Sequence, residues 1–154
     1  MYTKEESAIL RKEFWIAFDA YSRKFIGAKR KWITYNTGIK DVVLKFDVNR
    51  DEAKVLLFVE HRSENKRFDI FVRIKDFEIL YEDKLGEGWT WEDQFVTDSR
   101  KEVCAIYKRL ENVNIYNKKH WTDIFEFFGI EMMKLESAFV EFKPLIKDYI
   151  SSNY

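Results

Sequence analysis

Two carboxylates and a guanidinium make the one arrangement in this chain that hints at chemistry. Asp41 and Glu60 close the two ends of the stretch 41–60, DVVLKFDVNRDEAKVLLFVE, and Arg62 follows two residues later. If the two acids meet across paired strands, their oxygens suit Mg²⁺ or Mn²⁺, hard cations that Mg²⁺-type sites hold at about 2.0 to 2.1 Å. Arg62 would then steady a phosphate. It stays protonated and cannot act as a general base. A simpler reading takes the same residues as a solvated strand face on which Arg62 or Lys40 screens the acids. That reading is preferred, and with it the expectation of no catalytic residue, no metal and no cofactor.

The register of the stretch decides whether the acids face each other. With Asn49-Arg-Asp-Glu52 as the turn, Val48 pairs with Ala53, Phe46 with Val55, Leu44 with Leu57 and Val42 with Val59, giving one wholly apolar face. Alternation then puts Asp47 beside Lys54, Lys45 beside Leu56, Val43 beside Phe58 and Asp41 beside Glu60 on the other face. Like charges so opposed are destabilising unless something compensates.

Other candidates are surfaces rather than reaction centres. Lys29, Arg30 and Lys31, with Lys24 nearby and Trp32 and Tyr35 following, interleave basic and aromatic residues as a nucleic-acid strand would need. Acidic residues elsewhere balance them, and a solvated turn is the preferred reading. Trp89 and Trp91, two apart on a strand, share a face and could floor a pocket with Trp32 or an interface; sheet packing is the commoner outcome. His61 and His120 are expected to be structural or capping residues. No Gly-rich phosphate loop, nucleophile elbow or zinc spacing occurs.

Composition narrows the class further. Lys+Arg and Asp+Glu each number 27 in 154 residues, so no global field draws the chain to nucleic acid. The single cysteine, Cys104, lies in an apolar run and is expected in a core. No apolar run reaches the length of a membrane span, and a cytoplasmic protein is the default expectation. Aromatic residues make up 18% of the chain, beside one proline and five glycines. That balance favours long regular elements packed by large rings.

These elements follow from periodicity and turn residues. A helix is predicted from Lys4 to about Phe25, with Leu10, Phe14, Ala17, Phe18, Tyr21 and Phe25 on one face and Trp15 and Ile16 off it. Gly27 turns the chain, a short strand covers Trp32–Tyr35, and Asn36–Gly38 turns it again. After the hairpin, Ser63 caps a helix that runs to about Lys84 and ends at Gly86 and Gly88. Its apolar residues spread widely enough to call for cover on more than one side. Strands follow at Trp89–Phe95 and Glu102–Lys108, with Val113–Tyr116 as a possible extension of the sheet. Asn117 then caps a helix, Gly129 separates it from a last one, and Pro144 should kink or break that last helix. The sum is a single α+β domain over residues 1–154, with a mixed, mainly antiparallel sheet flanked by helices.

The chain resembles a bacterial family known as domain of unknown function 4268. The resemblance is carried by Phe14-Trp15, Trp32-Ile-Thr-Tyr35 with Gly38, Trp89-Thr-Trp91, Ile106-Tyr-Lys108, and Asn117 through Trp121 to Phe127-Phe128. It implies a bacterial, intracellular, globular domain and brings no catalytic residue with it. A weaker, topological resemblance is to the restriction-endonuclease-like core, helix, three strands, helix, strand. On it Asp41 stands for the aspartate that begins a strand, and Glu60-His-Arg62 replaces the (D/E)XK motif. The expected function is therefore a non-catalytic binding or protein-interaction module, self-associating through aromatic surfaces of its first and last helices. A divalent-metal-dependent nuclease, or an inactive relative of one, is the alternative.

Overall fold

The computed structural model describes residues 2–26 and 37–154. The predicted strand Trp32–Tyr35, the basic cluster Lys29–Lys31 and the turn at Gly27 lie outside the described residues.

Helix α1 (Lys4–Tyr21) starts where Thr3 Oγ1 accepts the Glu6 amide, and it passes into a π-helical turn, Ser22–Ile26. Strands β1 (Val42–Val48) and β2 (Glu52–Val59) pair antiparallel in the register read from the sequence, Val42 with Val59 through to Val48 with Ala53. Asn49 builds the turn, its side-chain oxygen accepting the amides of Asp51 and Glu52 at 2.8 and 3.0 Å.

The predicted helix over 63–84 is in fact two. Ser63 caps α2 (Glu64–Lys75), which ends at Asp76, and α3 (Glu78–Leu85) begins after Phe77. The break turns Phe77 onto α4, where its ring stacks on Phe142 at 5.0 Å. Full cover of this region does not occur, since Val72, Ile79 and Leu80 remain exposed. Gly86 and Gly88, both at positive φ, lead out of α3 as expected.

Strands β3 (Thr90–Val96) and β4 (Glu102–Glu111) complete an antiparallel sheet of order β1-β2-β4-β3 among the described residues. Val113–Tyr116 is not a strand. It folds back on the hairpin turn, with the Val113 and Ile115 amides donating to the carbonyls of Asp51 and Asn49.

The two predicted terminal helices are one. After a 3₁₀ turn at Lys118–His120, α4 runs unbroken from Trp121 to Asn153, 33 residues, through both Gly129 and Pro144. Residues on both sides of the proline, Phe142 and Ile146, are buried in the core. Their burial holds the helix in line where proline alone disfavours it.

The four α-helices among the described residues pack on one face of the sheet, and the fold is α+β, as expected. Phe14, Phe18, Val42, Leu44, Val55, Leu57, Ile70, Ile74, Tyr81, Cys104, Ile106, Phe128, Leu135 and Phe139 lie in this main core. Much of the aromatic excess packs inside it. Phe14 meets Trp121, Phe125 and Phe128, Trp15 stacks on Phe128 at 6.0 Å, and Phe18 meets Phe46 and Phe128. The expectation that α1 and α4 present aromatic surfaces for self-association is thus corrected: those rings face each other within one chain. No helix among the described residues is long and apolar enough to cross a membrane.

Candidate functional site: the sheet face opposite the helices

Asp41 and Glu60 are neighbours across the hairpin, as the register requires. The Glu60 amide donates to the Asp41 carbonyl at 2.8 Å. Beyond Val42, however, regular alternation stops, because Asp41 adopts a left-handed backbone with φ 66°. The Glu60 carboxylate has another partner, Lys101 Nζ at 3.4 Å. Arg62 is exposed in the bend that precedes α2. Among the described residues, no three His, Cys, Asp or Glu side chains are gathered as a metal-binding group.

The two histidines have structural partners. His61 Nδ1 accepts the Ser63 amide at 2.9 Å, and His120 Nδ1 accepts the Asn114 amide at 2.9 Å. Trp89 and Trp91 pack against the main core: Trp89 Nε1 donates to the Leu85 carbonyl, and Trp91 lies edge-on to Tyr81. Lys29, Arg30, Lys31, Trp32 and Tyr35 lie outside the described residues.

A different feature emerges on the sheet face that no described helix covers. Leu56 and Phe58 of β2 join Val103, Ala105 and Tyr107 of β4 in a second apolar cluster, with Val43 and Phe95 packed beside it. Phe95 lies 5.6 Å from Phe58 and 5.3 Å from Tyr107 between ring centroids. Its presence here depends on an irregularity in β3. Trp91 pairs with Ile106 and Phe95 with Val103, so four steps along β3 match three along β4. The extra residue reverses alternation. Trp91 therefore packs toward the helices, while Phe95 packs on the opposite face.

Around this floor runs a groove of about 450 Å³, with Lys45, Asp47, Lys54, Glu60, Asp98 and Lys101 among its lining residues. Two lysine ammonium groups lie over its rings. Lys45 Nζ lies 5.5 Å from the Phe58 centroid, and Lys54 Nζ lies 5.5 Å from Phe95 and 5.8 Å from Tyr107. Burial raises the Asp47 carboxyl above its usual range, and the charge of Asp98 raises it further; Lys54 and the Val48 amide oppose the shift, and Glu52 adds to it.

Leu56, Phe58 and Tyr107 are themselves buried, so what the groove presents outward is half-buried Phe95 and the charged rim. The one thiol is not a ready nucleophile, since Cys104 is buried under the other face and burial pushes its pKa up to about 11. The signal for the groove was present in the sequence: the hairpin's charged face also carries Val43, Leu56 and Phe58. What could not be read was the contribution of Phe95, which rests on the bulge.

No curated protein and no solved structure matches the chain, so the comparisons lend the restriction-endonuclease-like resemblance no support. One family does match, over residues 10–143, and carries the description "Domain of unknown function (DUF4268)". That span is most of the 154 residues, and the chain belongs to this family.

Proposed function

We propose that this chain is a non-catalytic binding module that holds a segment of a partner protein in the groove on the sheet face opposite its helices. One observation carries the reading: Phe95, half-buried, and the exposed Val96 lie over the buried Leu56, Phe58 and Tyr107 on the sheet face opposite the helices, beside a groove lined by charged side chains. Anchoring pockets for partner side chains have this character, an apolar centre inside a polar rim. Selection of displayed random peptides against the full chain tests it. Binders are expected to shift the resonances of Val43, Phe95 and Val96 and to lose affinity for Phe95→Ala, with the far-ultraviolet spectrum of that variant unchanged. Binders that perturb only the helical side would refute the assignment.

A second reading, self-association, is favoured by a separate observation. Ile130, Met133 and Val140 are 56, 51 and 53% exposed along the outer face of α4. Their spacing of three and seven residues forms a seam of the kind that pairs helices. The surface is aliphatic, unlike the aromatic one expected from sequence. Light scattering on wild type and Met133→Glu tests it: a dimer that the substitution dissociates supports the reading, and a wild-type monomer at high concentration removes it.

A further inference from the structure

The outer face of α4 keeps its uncharged and charged residues in separate blocks. Ile130, Met133, Ser137, Val140 and Pro144 follow one another in steps of three and four residues, the spacing that holds side chains in one line along a helix, and all five are exposed. Continued in the same steps, the line reaches Glu126 and Asp123 before this block and Lys147 after it, all exposed. None of these three has an ion-pair partner within 4.0 Å among the described residues. One seam thus has an uncharged middle, an acidic end and a basic end.

We propose that two copies of the chain pair antiparallel along this seam, about a two-fold axis level with Leu135. The proposal rests on the self-association reading and adds its direction and register. Ile130 then stands opposite Val140 of the partner subunit, and Met133 opposite Ser137 of the partner subunit, a long side chain against a small one. At the ends Asp123 meets Lys147 of the partner subunit, with Glu126 less than a turn away on the same side. A parallel pair would instead set each acid against its own copy and lysine against lysine, a repulsive arrangement at both ends. Sliding the antiparallel pair by seven residues brings Asp123 against Val140 in one direction and Ile130 against Lys147 in the other. The register level with Leu135 avoids both, setting the uncharged middle on itself and acid beside base. Near the axis, Lys134 is already paired with Glu131 of its own chain at 3.5 Å. The occupant is a second copy because the seam is its own complement under a two-fold, as an isologous interface requires.

The test combines sedimentation of the full chain with cysteine cross-linking. Ile130→Cys and Val140→Cys are oxidised mildly, each alone and after mixing while reduced; Cys104 is buried and does not compete. Wild type is expected to sediment as a dimer. The mixture should cross-link and each variant alone should not, since identical positions then lie roughly 15 Å apart along the axis. Lys147→Glu should weaken the dimer at least about tenfold with the far-ultraviolet spectrum unchanged, and adding Asp123→Lys should restore most of that loss. Cross-linking of each variant by itself, with none gained on mixing, would establish a parallel pair and overturn the register while leaving self-association standing. A wild-type dimer that yields no cross-link and ignores Lys147→Glu would overturn the seam. A monomer at high concentration would remove both the proposal and the reading beneath it.

Discussion

The Glu60 carboxylate lies 3.4 Å from Lys101 Nζ, so the acid opposite Asp41 already has a cation, brought from the turn between β3 and β4. The opposed pair thus has a compensating charge that does not require a metal. Both partners are partly exposed, and such an ion pair is worth little, commonly about 0.2 to 1 kcal/mol. Glu60→Gln should therefore move the thermal midpoint by no more than roughly 2 to 4 °C. Mn²⁺ should leave the midpoint of both proteins in place. A saturable rise with Mn²⁺ in wild type that vanishes in the variant would instead establish Asp41 and Glu60 as metal ligands.

Asp47 shows the opposite balance. Its pKa in the folded state is raised, first by burial and then by Asp98. A raised folded value means that its contribution to stability is present in full below the unfolded pKa and is lost as pH rises through the folded one. At neutral pH the ionised group is a net cost to folding. Asp47→Asn should accordingly raise the urea midpoint at pH 7, and the gain should shrink as pH falls through the acid range. A variant less stable than wild type at neutral pH would show that the carboxylate is satisfied after all.

Phe128 holds together the aromatic interface of α1, α4 and β1. It is fully buried and meets Phe14, Trp15, Phe18 and Phe46. Removing a ring from such a place loses its transfer free energy and leaves a cavity, together about 3 to 5 kcal/mol. Phe128→Ala should show that loss in equilibrium denaturation. A loss below about 1 kcal/mol would mean that the interface collapses around the gap.

Cys104 offers a direct check on burial. Its side chain is inaccessible, and its thiol is pushed up to about 11, first by burial, against the opposing charge of Arg67. The thiolate is the reactive form. An aromatic disulfide reagent at pH 8 should therefore label the native protein slowly and the urea-unfolded protein within the mixing time. Rapid native labelling would show that the region around β4 opens readily.

The reach of the sequence can be seen residue by residue. The pairing of Val42 with Val59 and of Val48 with Ala53 was legible because a turn residue, Asn49, and strict alternation are both local signals. So were the buried stripe of Leu10, Phe14 and Phe18, the Ser63 cap and the Cys104 core position. Local signals misled where tertiary burial outweighed them. Pro144 does not end α4, because Phe142 and Ile146 are anchored on either side of it. Asp76 and Phe77 interrupt a periodic stretch, and the break lets Phe77 stack on Phe142.

The candidate site divides along the same line. The sequence by itself determined the antiparallel hairpin, the α+β class and the placing of Lys45, Asp47, Leu56 and Phe58 together on the hairpin face opposite Val42 and Leu44, since backbone hydrogen bonding and side-chain alternation act between near neighbours. Only the tertiary structure decided that β4 lies between β2 and β3, that one extra residue in β3 turns Phe95 onto the face opposite the helices, and that Asp98 joins Asp47 in one groove. Those placements join segments about fifty residues apart in the chain. They follow from which apolar faces can be buried together, and that is a property of the whole chain rather than of any stretch within it.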